Sequence, residues 1–330
     1  QKHDIVATVN SSEGATYYSP EALPSSLYQQ AALETARILR TPENFQGRAY
    51  AKGLVIDPVG CKDRDDAIWA EERNGKYAVH VSIADVAHYV REGMALDHIA
   101  RLKGFTHYRD DYTTDPLFPN ELSQGKFSLL AGQPRLTMTI SVGLSEAYEI
   151  EEVLIRPTYL VSPADLTYED AARMREDPSS EFYQTLLLAD RISRRIRRSE
   201  EPDDHPLRRG TVGEASMHRI IGDFMALANM AVAKYAVENN LPIIYRNFKS
   251  SETAGEPTYG YYSDLPEGHA AMGGVYTHTT APIRRAPDIF AWRRIKQFLD
   301  GQQLPQHAID SAGRVARRIN AAFAAERRIS

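Results

Sequence analysis

The sequence predicts an α+β fold, a mixed β-sheet surrounded by α-helices. Three observations point there: strand-like runs gather in the first half, runs with apolar residues at helical spacing fill the second, and their alternation is too irregular for a doubly wound parallel sheet. With 42% hydrophobic and 25% charged residues among 330, the chain has the balance of a soluble globular protein that buries a real core.

Residues 1–46 read as an N-terminal lead-in, a polar stretch from Asn10 to Tyr18 followed by a helix over Leu27–Leu39, where Leu27, Ala31, Leu33 and Ala36 repeat at helical spacing. The main domain is expected over 47–330. Arg48–Asp57 and Lys76–Ile83 read as strands, and Asn74-Gly75 between strand-like runs is a hairpin turn. A second strand block covers Arg135–Val142 and Ile150–Tyr159. Helices are expected over Tyr168–Arg175, Glu181–Arg198, Met217–Asn239, Pro287–Leu299 and Gln306–Arg328. Lys249–Gly274, rich in Gly, Ser, Glu and Tyr, reads as one long loop.

Cys61 is the single cysteine, so no internal disulfide can form. No charged-then-apolar leader and no run of about 18 apolar residues stands out, and the expectation is a cytoplasmic protein with no membrane partner. A net charge of −5 argues neither for nor against nucleic acid, because an enzyme that holds cations with carboxylates masks basic surface in the sum.

Four aspartates lie within ten residues: Asp57, Asp63, Asp65 and Asp66. An apolar strand leads into Asp57, Pro58 and Gly60 force a turn, and the chain returns toward Ala67-Ile68-Trp69. Carboxylates brought together at a sheet repel one another and need cations to stay ionised, and Mg²⁺ suits an all-oxygen set. A solvated acidic turn is the plainer alternative. A calcium loop is set aside because Ala67 stands where its glycine belongs. Near the other end, Arg284 and Arg285 precede a helix opened by Pro287, an arrangement suited to an anion, although an Arg-Arg pair is more often ordinary surface. Carboxylates for metal plus an arginine for a phosphorane are the parts of two-metal phosphoryl transfer.

These residues resemble the RNase II/RNB family of exoribonucleases. Asp57 to Asp66 is similar to the family's aspartate signature, and three further blocks follow in order: His80-Val81-Ser82-Ile83-Ala84-Asp85-Val86 with Tyr89-Val90; Phe105-Thr106-His107-Tyr108 leading to Pro119–Ser123 and Ser128-Leu129; and Tyr276 to Asp288, with Thr279, Ala281 and Ala286 as departures. The resemblance runs from about Arg48 to the C-terminus and implies a single large RNB-type catalytic domain that degrades single-stranded RNA from its 3′ end to 5′-mononucleotides. It implies two Mg²⁺ ions, with Mn²⁺ able to substitute, held by Asp57, Asp63, Asp65 and Asp66. Asp65, Asp66 and Arg284 form the implied catalytic centre, Asp66 being indispensable and Arg284 stabilising the transition state. Tyr108 is matched to base stacking, Tyr168 to the scissile nucleotide, and Asp223, Arg285 and Glu326 to further RNA contacts, Glu326 near the terminal sugar.

Two departures stand beside the match. The family's acidic pair on the central helix is reduced to Asp223, with Gly222 in the first place, and the short segment Pro202–Met217 holds no clear counterpart of a clamping phenylalanine. No convincing OB-fold domain flanks the catalytic part. A catalytically reduced RNA-binding module is therefore the competing reading, and a phosphodiesterase acting on DNA or a structured RNA end is a third. Arg191, Arg194, Arg195 and Arg198 share a helix face, with Arg197 beside them, and could track RNA or pair with acids such as Glu200 and Glu201. His80, Asp85 and His88 have metal-ligand types, but a strand-borne His80 more often makes a structural hydrogen bond. Most of the 18 tyrosines should be core or half-buried.

Overall fold

Asn74 and Gly75 take φ values of 53° and 74°, the two left-handed residues that a tight hairpin turn requires, and they join the strands on which the sheet is built. The computed structural model describes residues 23–108, 114–196, 212–249 and 259–329. In chain order it contains α1 (Ser25–Arg40), β1 (Ala49–Tyr50), β2 (Val55–Asp57), β3 (Asp66–Arg73), β4 (Lys76–Ala84), α2 (Val86–Tyr89), α3 (Ala95–Lys103), β5 (His107–Tyr108), β6 (Thr114–Asp115), a π-helical turn (Leu122–Lys126), β7 (Pro134–Leu144), β8 (Ile150–Val161) and β9 (Asp165–Thr167). There follow α4 (Tyr168–Glu176), α5 (Tyr183–Ile196), α6 (Val212–Glu238), β10 (Tyr245–Lys249), β11 (Tyr259–Ser263), α7 (Ala286–Leu299), α8 (Gln306–Ile309) and α9 (Ser311–Ile329).

The main sheet has the order β1-β8-β7-β4-β3. β1 is parallel to β8 and the other pairs are antiparallel, so the sheet is mixed as the sequence predicts. Strand alternation gives it two unlike faces. Ile68, Val81, Ile140 and Ile155 stand opposite one another in one row and are all buried in the core. The next row, Trp69, His80, Ser141 and Leu154, lies on the other face. There His80 bonds Ser141 Oγ at 2.7 Å and Glu71 Oε1 at 2.8 Å, the structural role expected of it. Deeper on that face Ser82, Thr139, Thr158 and Thr137 form a buried chain of hydroxyl hydrogen bonds, 2.6 to 2.8 Å long, which satisfies polar groups that would otherwise oppose burial.

α6 packs beside the sheet and is apolar nearly all round. It is long and apolar enough to cross a membrane by composition, yet 61% of that stretch is buried inside the fold, as in the central helix of a globular core. Phe224 and Leu227 on it are fully buried, each contributing roughly 1.5–3 kcal/mol of apolar burial.

Several expected elements differ in detail. Arg48–Asp57 is not one strand, because the chain leaves the β8 edge and crosses to β3: Ala51 N–H bonds Tyr159 O at 2.8 Å, while Leu54 and Ile68 exchange bonds of 2.9 and 3.0 Å. Gly53 permits the crossing, since a Cβ there would lie 2.8 Å from Ala67 Cβ. α6 starts at Val212 rather than Met217, and the expected helix over Gln306–Arg328 breaks at Asp310 into α8 and α9. The Lys249–Gly274 loop contains β11, which folds back antiparallel on β10; residues 250–258 of it lie outside those described, as do Asn10–Tyr18 and most of Pro202–Met217. α3 has no counterpart among the predicted helices; nine residues give too short a periodic run. Its first N–H groups, Ala95 and Leu96, donate to the Glu34 carboxylate at 3.0 Å each, so α1 supplies the cap. α1 also places Ala31 and Ile38 in the main core.

Candidate active site

The buried strand β2 carries Asp57, and its parallel register with β9 sets Asp57 opposite Thr167, the residue before Tyr168. Thr167 caps α4 in a reciprocal box with Asp170, which fixes half-buried Tyr168 at the helix start, beside His218. After Asp57, Gly60 turns the chain at φ 83°. Ser128 then staples the loop: its hydroxyl donates to Lys62 O at 2.6 Å and accepts Arg64 N–H at 3.0 Å, and Leu129 N–H donates to Arg64 O at 3.0 Å. The chain re-enters the sheet at Asp66, the first residue of β3.

The Tyr276–Asp288 segment is held from four sides. Thr277 Oγ1 donates to Ile244 O at 2.7 Å. Thr279 donates through N–H and hydroxyl to Asn229 Oδ1 of α6, both at 2.9 Å. Trp292 Nε1 donates to Thr279 O at 2.7 Å, and Thr106 N–H donates to Arg284 O at 2.9 Å. Asn229 escaped the sequence reading, although an asparagine inside an apolar helical run demands partners and was a usable signal. The resulting turn meets the aspartate loop: Ile283 N–H donates to Asp65 Oδ1 at 2.8 Å across 218 residues of sequence, and Arg284 Nε stands 3.4 Å from Asp65 Oδ2.

The electrostatics follow from crowding and burial. Burial pushes the Asp65 carboxyl up to about 7 against Arg284 and the Ile283 N–H. It pushes Asp57 up to about 6, with Arg64 opposing and Asp63 reinforcing. Asp66 is raised well above the ordinary range by burial and by the neighbouring charges of Asp57 and Asp65. Arg284 is held charged: burial opposes the charge, but Asp65, Tyr108 and Asp66 outweigh it. The protein's own groups therefore stabilise these carboxylates poorly as anions.

Among the described residues no three carboxylate, imidazole or thiol side chains are arranged to hold a metal ion as they stand. The donor set nevertheless fits Mg²⁺. Asp57 Oδ2 is buried and has no hydrogen-bond partner, the donors are oxygens, and Mg²⁺ takes one or two carboxylates and completes its shell with water and phosphate.

Other predicted residues fall as follows. Tyr108 ends β5, 61% exposed, with Asp63 and Arg284 acting on its hydroxyl. Arg285 is the N-cap of α7 and its guanidinium pairs with buried Asp288 at 2.9 Å. Asp223 is buried at the α5–α6 contact and accepts the Ser193 hydroxyl at 2.6 Å. Glu326 is carried by α9, its side chain outside those described. On α5, Arg191 pairs with Glu72, Arg194 with Asp190, and Arg195 stacks over Tyr148, the paired-face alternative; Arg197, Arg198, Glu200 and Glu201 lie outside the described residues. Asp85 is not a metal-ligand candidate but a buried partner of Arg48 and Lys296.

Comparison with known proteins finds relatives in both sequence and fold. Ribonuclease R of Thermotoga maritima is 28% identical over 363 residues, covering 85% of this chain and 50% of that protein. The chain thus spans about half the length of this relative. Mycoplasma genitalium RNase R, solved in complex with ribose-methylated single-stranded RNA, superposes with a TM-score of 0.75 at 19% identity, covering 88% of this chain and 59% of that one. Yeast Ssd1, a pseudonuclease, shares the fold with a TM-score of 0.69 at 15% identity over 93% of this chain and 49% of its own. Since the family model for the RNB domain matches residues 51–255, well over half of a chain whose aspartate loop and arginine turn meet as described, the protein belongs to the RNB domain family.

Proposed function

We propose that this chain is the catalytic domain of a Mg²⁺-dependent exoribonuclease that hydrolyses single-stranded RNA from the 3′ end and releases 5′-mononucleotides. The observation that carries this reading is the junction of Asp65 with Ile283 N–H and Arg284. It joins a carboxylate cluster to an arginine from the other end of the sequence, the combination that phosphoryl transfer requires. The RNA complex of the Mycoplasma genitalium relative supports the substrate class.

Asp57, Asp63, Asp65 and Asp66 would hold the Mg²⁺, two ions by the family resemblance, or Mn²⁺ in its place. An ion held there would supply Lewis-acid charge at the phosphodiester and make an attacking water more acidic. Arg284, which faces Asp65 at 3.4 Å, would balance the charge that grows on the phosphorane. Tyr108 offers an exposed ring for the terminal base, a contact that tolerates any sequence. Tyr168 lies one residue past the partner of Asp57, and the family resemblance assigns it to the scissile nucleotide. Arg285 and Glu326 are proposed as further RNA contacts, whereas Asp223 acts through the Ser193 hydroxyl that it holds. Discrimination against DNA would rest on 2′-hydroxyl contacts.

The test is the product ladder from a labelled oligoribonucleotide with and without EDTA. Mononucleotides that vanish with EDTA are expected. Gly222 in place of an acid, and a pseudonuclease sharing the fold, favour the second reading, a catalytically reduced RNA-binding module; in that case the RNA band shifts on a gel and stays uncut.

A further inference from the structure

We propose that Arg64 is a resident counter-cation of the aspartate nest, which competes with a divalent ion for Asp57 and is itself restrained by Asp165. The proposal rests on the reading that the nest holds Mg²⁺, and it assigns a role to a residue that neither the motif nor the mechanism uses.

Arg64 lies inside the aspartate loop, between Asp63 and Asp65, and its backbone is fixed at both polar atoms, N–H to Ser128 Oγ and O to Leu129 N–H, each at 3.0 Å. The side chain therefore moves through its own torsions and not with the loop. Its guanidinium is shared between two acids on paired strands: Nη1 forms a close ion pair with Asp165 of β9, and Nε stands 3.9 Å from Asp57 Oδ2 of β2. The 3.9 Å separation is an ion pair without a hydrogen bond, and Asp57 Oδ2 has no hydrogen-bond partner.

Exposure decides which contact matters more. The Arg64 and Asp57 side chains are each 18% exposed, whereas Asp165 is 42% exposed. The looser contact lies in the drier surroundings, where a charge acts more strongly at a given distance, and the tight one is screened by solvent. A divalent ion arriving at Asp57 thus meets a guanidinium already facing the same oxygen, and like charges that close oppose each other. Asp165 draws Arg64 the other way and moderates that opposition. Divalent affinity is then set by how Arg64 divides its charge between two acids, and not by the carboxylates alone.

The experiment is Mn²⁺ binding to the purified chain without RNA, read by electron paramagnetic resonance, for wild type, Arg64→Gln, Asp165→Asn and the double variant, with circular dichroism confirming the fold of each. Arg64→Gln should bind Mn²⁺ on the order of tenfold more tightly once the competing charge is gone. Asp165→Asn should bind about threefold more weakly because Arg64 is released toward Asp57. The double variant should match Arg64→Gln, since Asp165 acts only through Arg64. Arg64→Lys, which keeps the charge, should stay near wild type. Unchanged or weaker binding in Arg64→Gln overturns the proposal, as does a glutamine-like gain in Arg64→Lys. Loss of RNA binding in EDTA with Mn²⁺ affinity unaltered also overturns it, and makes Arg64 a phosphate contact. Absence of Mn²⁺ binding in wild type and every variant removes the metal reading itself, a result distinct from binding that ignores Arg64.

Discussion

At Asp85 one buried carboxylate faces two cations, Arg48 and Lys296, each at 2.6 Å. At the aspartate loop Asp57 has Arg64 at 3.9 Å and Asp65 has Arg284 at 3.4 Å, with the buried carboxyl of Asp66 beside them. Burial raises the carboxyl in both places, but Lys296 and Arg48 bring Asp85 below the usual range, whereas Asp65 rises to about 7 and Asp57 to about 6. The same residue type in one core is over-compensated at the first place and under-compensated at the second. The chain evidently has the means to neutralise a buried aspartate with its own side chains. The deficit at the loop is local, and it is what the proposed divalent ion would offset.

The sharpest way to break this comparison is Asp66→Asn. Hydrolysis of 3′-labelled RNA should be abolished while retention in a gel shift is largely kept; retained turnover would take Asp66 out of the chemistry. Next, Asp85→Ala leaves Arg48 and Lys296 unpaired in a buried place and should cost about 3–5 kcal/mol in urea unfolding. The fraction still folded should cut RNA at an ordinary rate, and an unchanged urea midpoint would deny Asp85 its structural part. Arg284→Ala should lower kcat on the order of 10² to 10³, and a shift in affinity alone would contradict its place beside the phosphorane.

The mildest effect is in pH. With no divalent ion present, Asp57 and Asp65 bind protons in the folded state up to about 6 and about 7, above their ordinary 3.8. The folded state then holds more protons than the unfolded one between those limits, so stability falls as pH rises from about 4 to about 7. Asp85 has the opposite sign: its contribution is present above the ordinary carboxylate range and is lost as pH falls through its lowered folded value. Melting curves across pH should show both slopes, and added Mg²⁺ should flatten only the neutral one.

Much of the frame was legible in the sequence. Asn74-Gly75, the alternation along Lys76–Ile83 and the helical period from Tyr168 onward depend on neighbours within a few residues, and the hairpin, β4 and α4 stand where those patterns put them. The types present at the candidate site were legible as well, since four acids in ten residues and two arginines before a helix are local facts. The splitting of Arg48–Asp57 was not, because it arises where Gly53 passes Ala67, and that approach exists only once β3 and β8 are in place. The cap that Glu34 gives to α3 was hidden for the same reason, its donor and acceptor being 61 and 62 residues apart.

What the sequence by itself determined is the α+β class, the order of the main elements and the chemical types gathered at the two motifs, all of which follow from short-range periodicity, turn chemistry and charge. What the tertiary structure alone decided is which charges meet. Asp65 faces Arg284 and the Ile283 N–H, Arg64 divides between Asp57 and Asp165, and Asp85 lies between Arg48 and Lys296. Coulomb energy depends on distance and surroundings and not on position along the chain, so whether an aspartate is a strut or a ligand is settled by the fold that brings its partners to it.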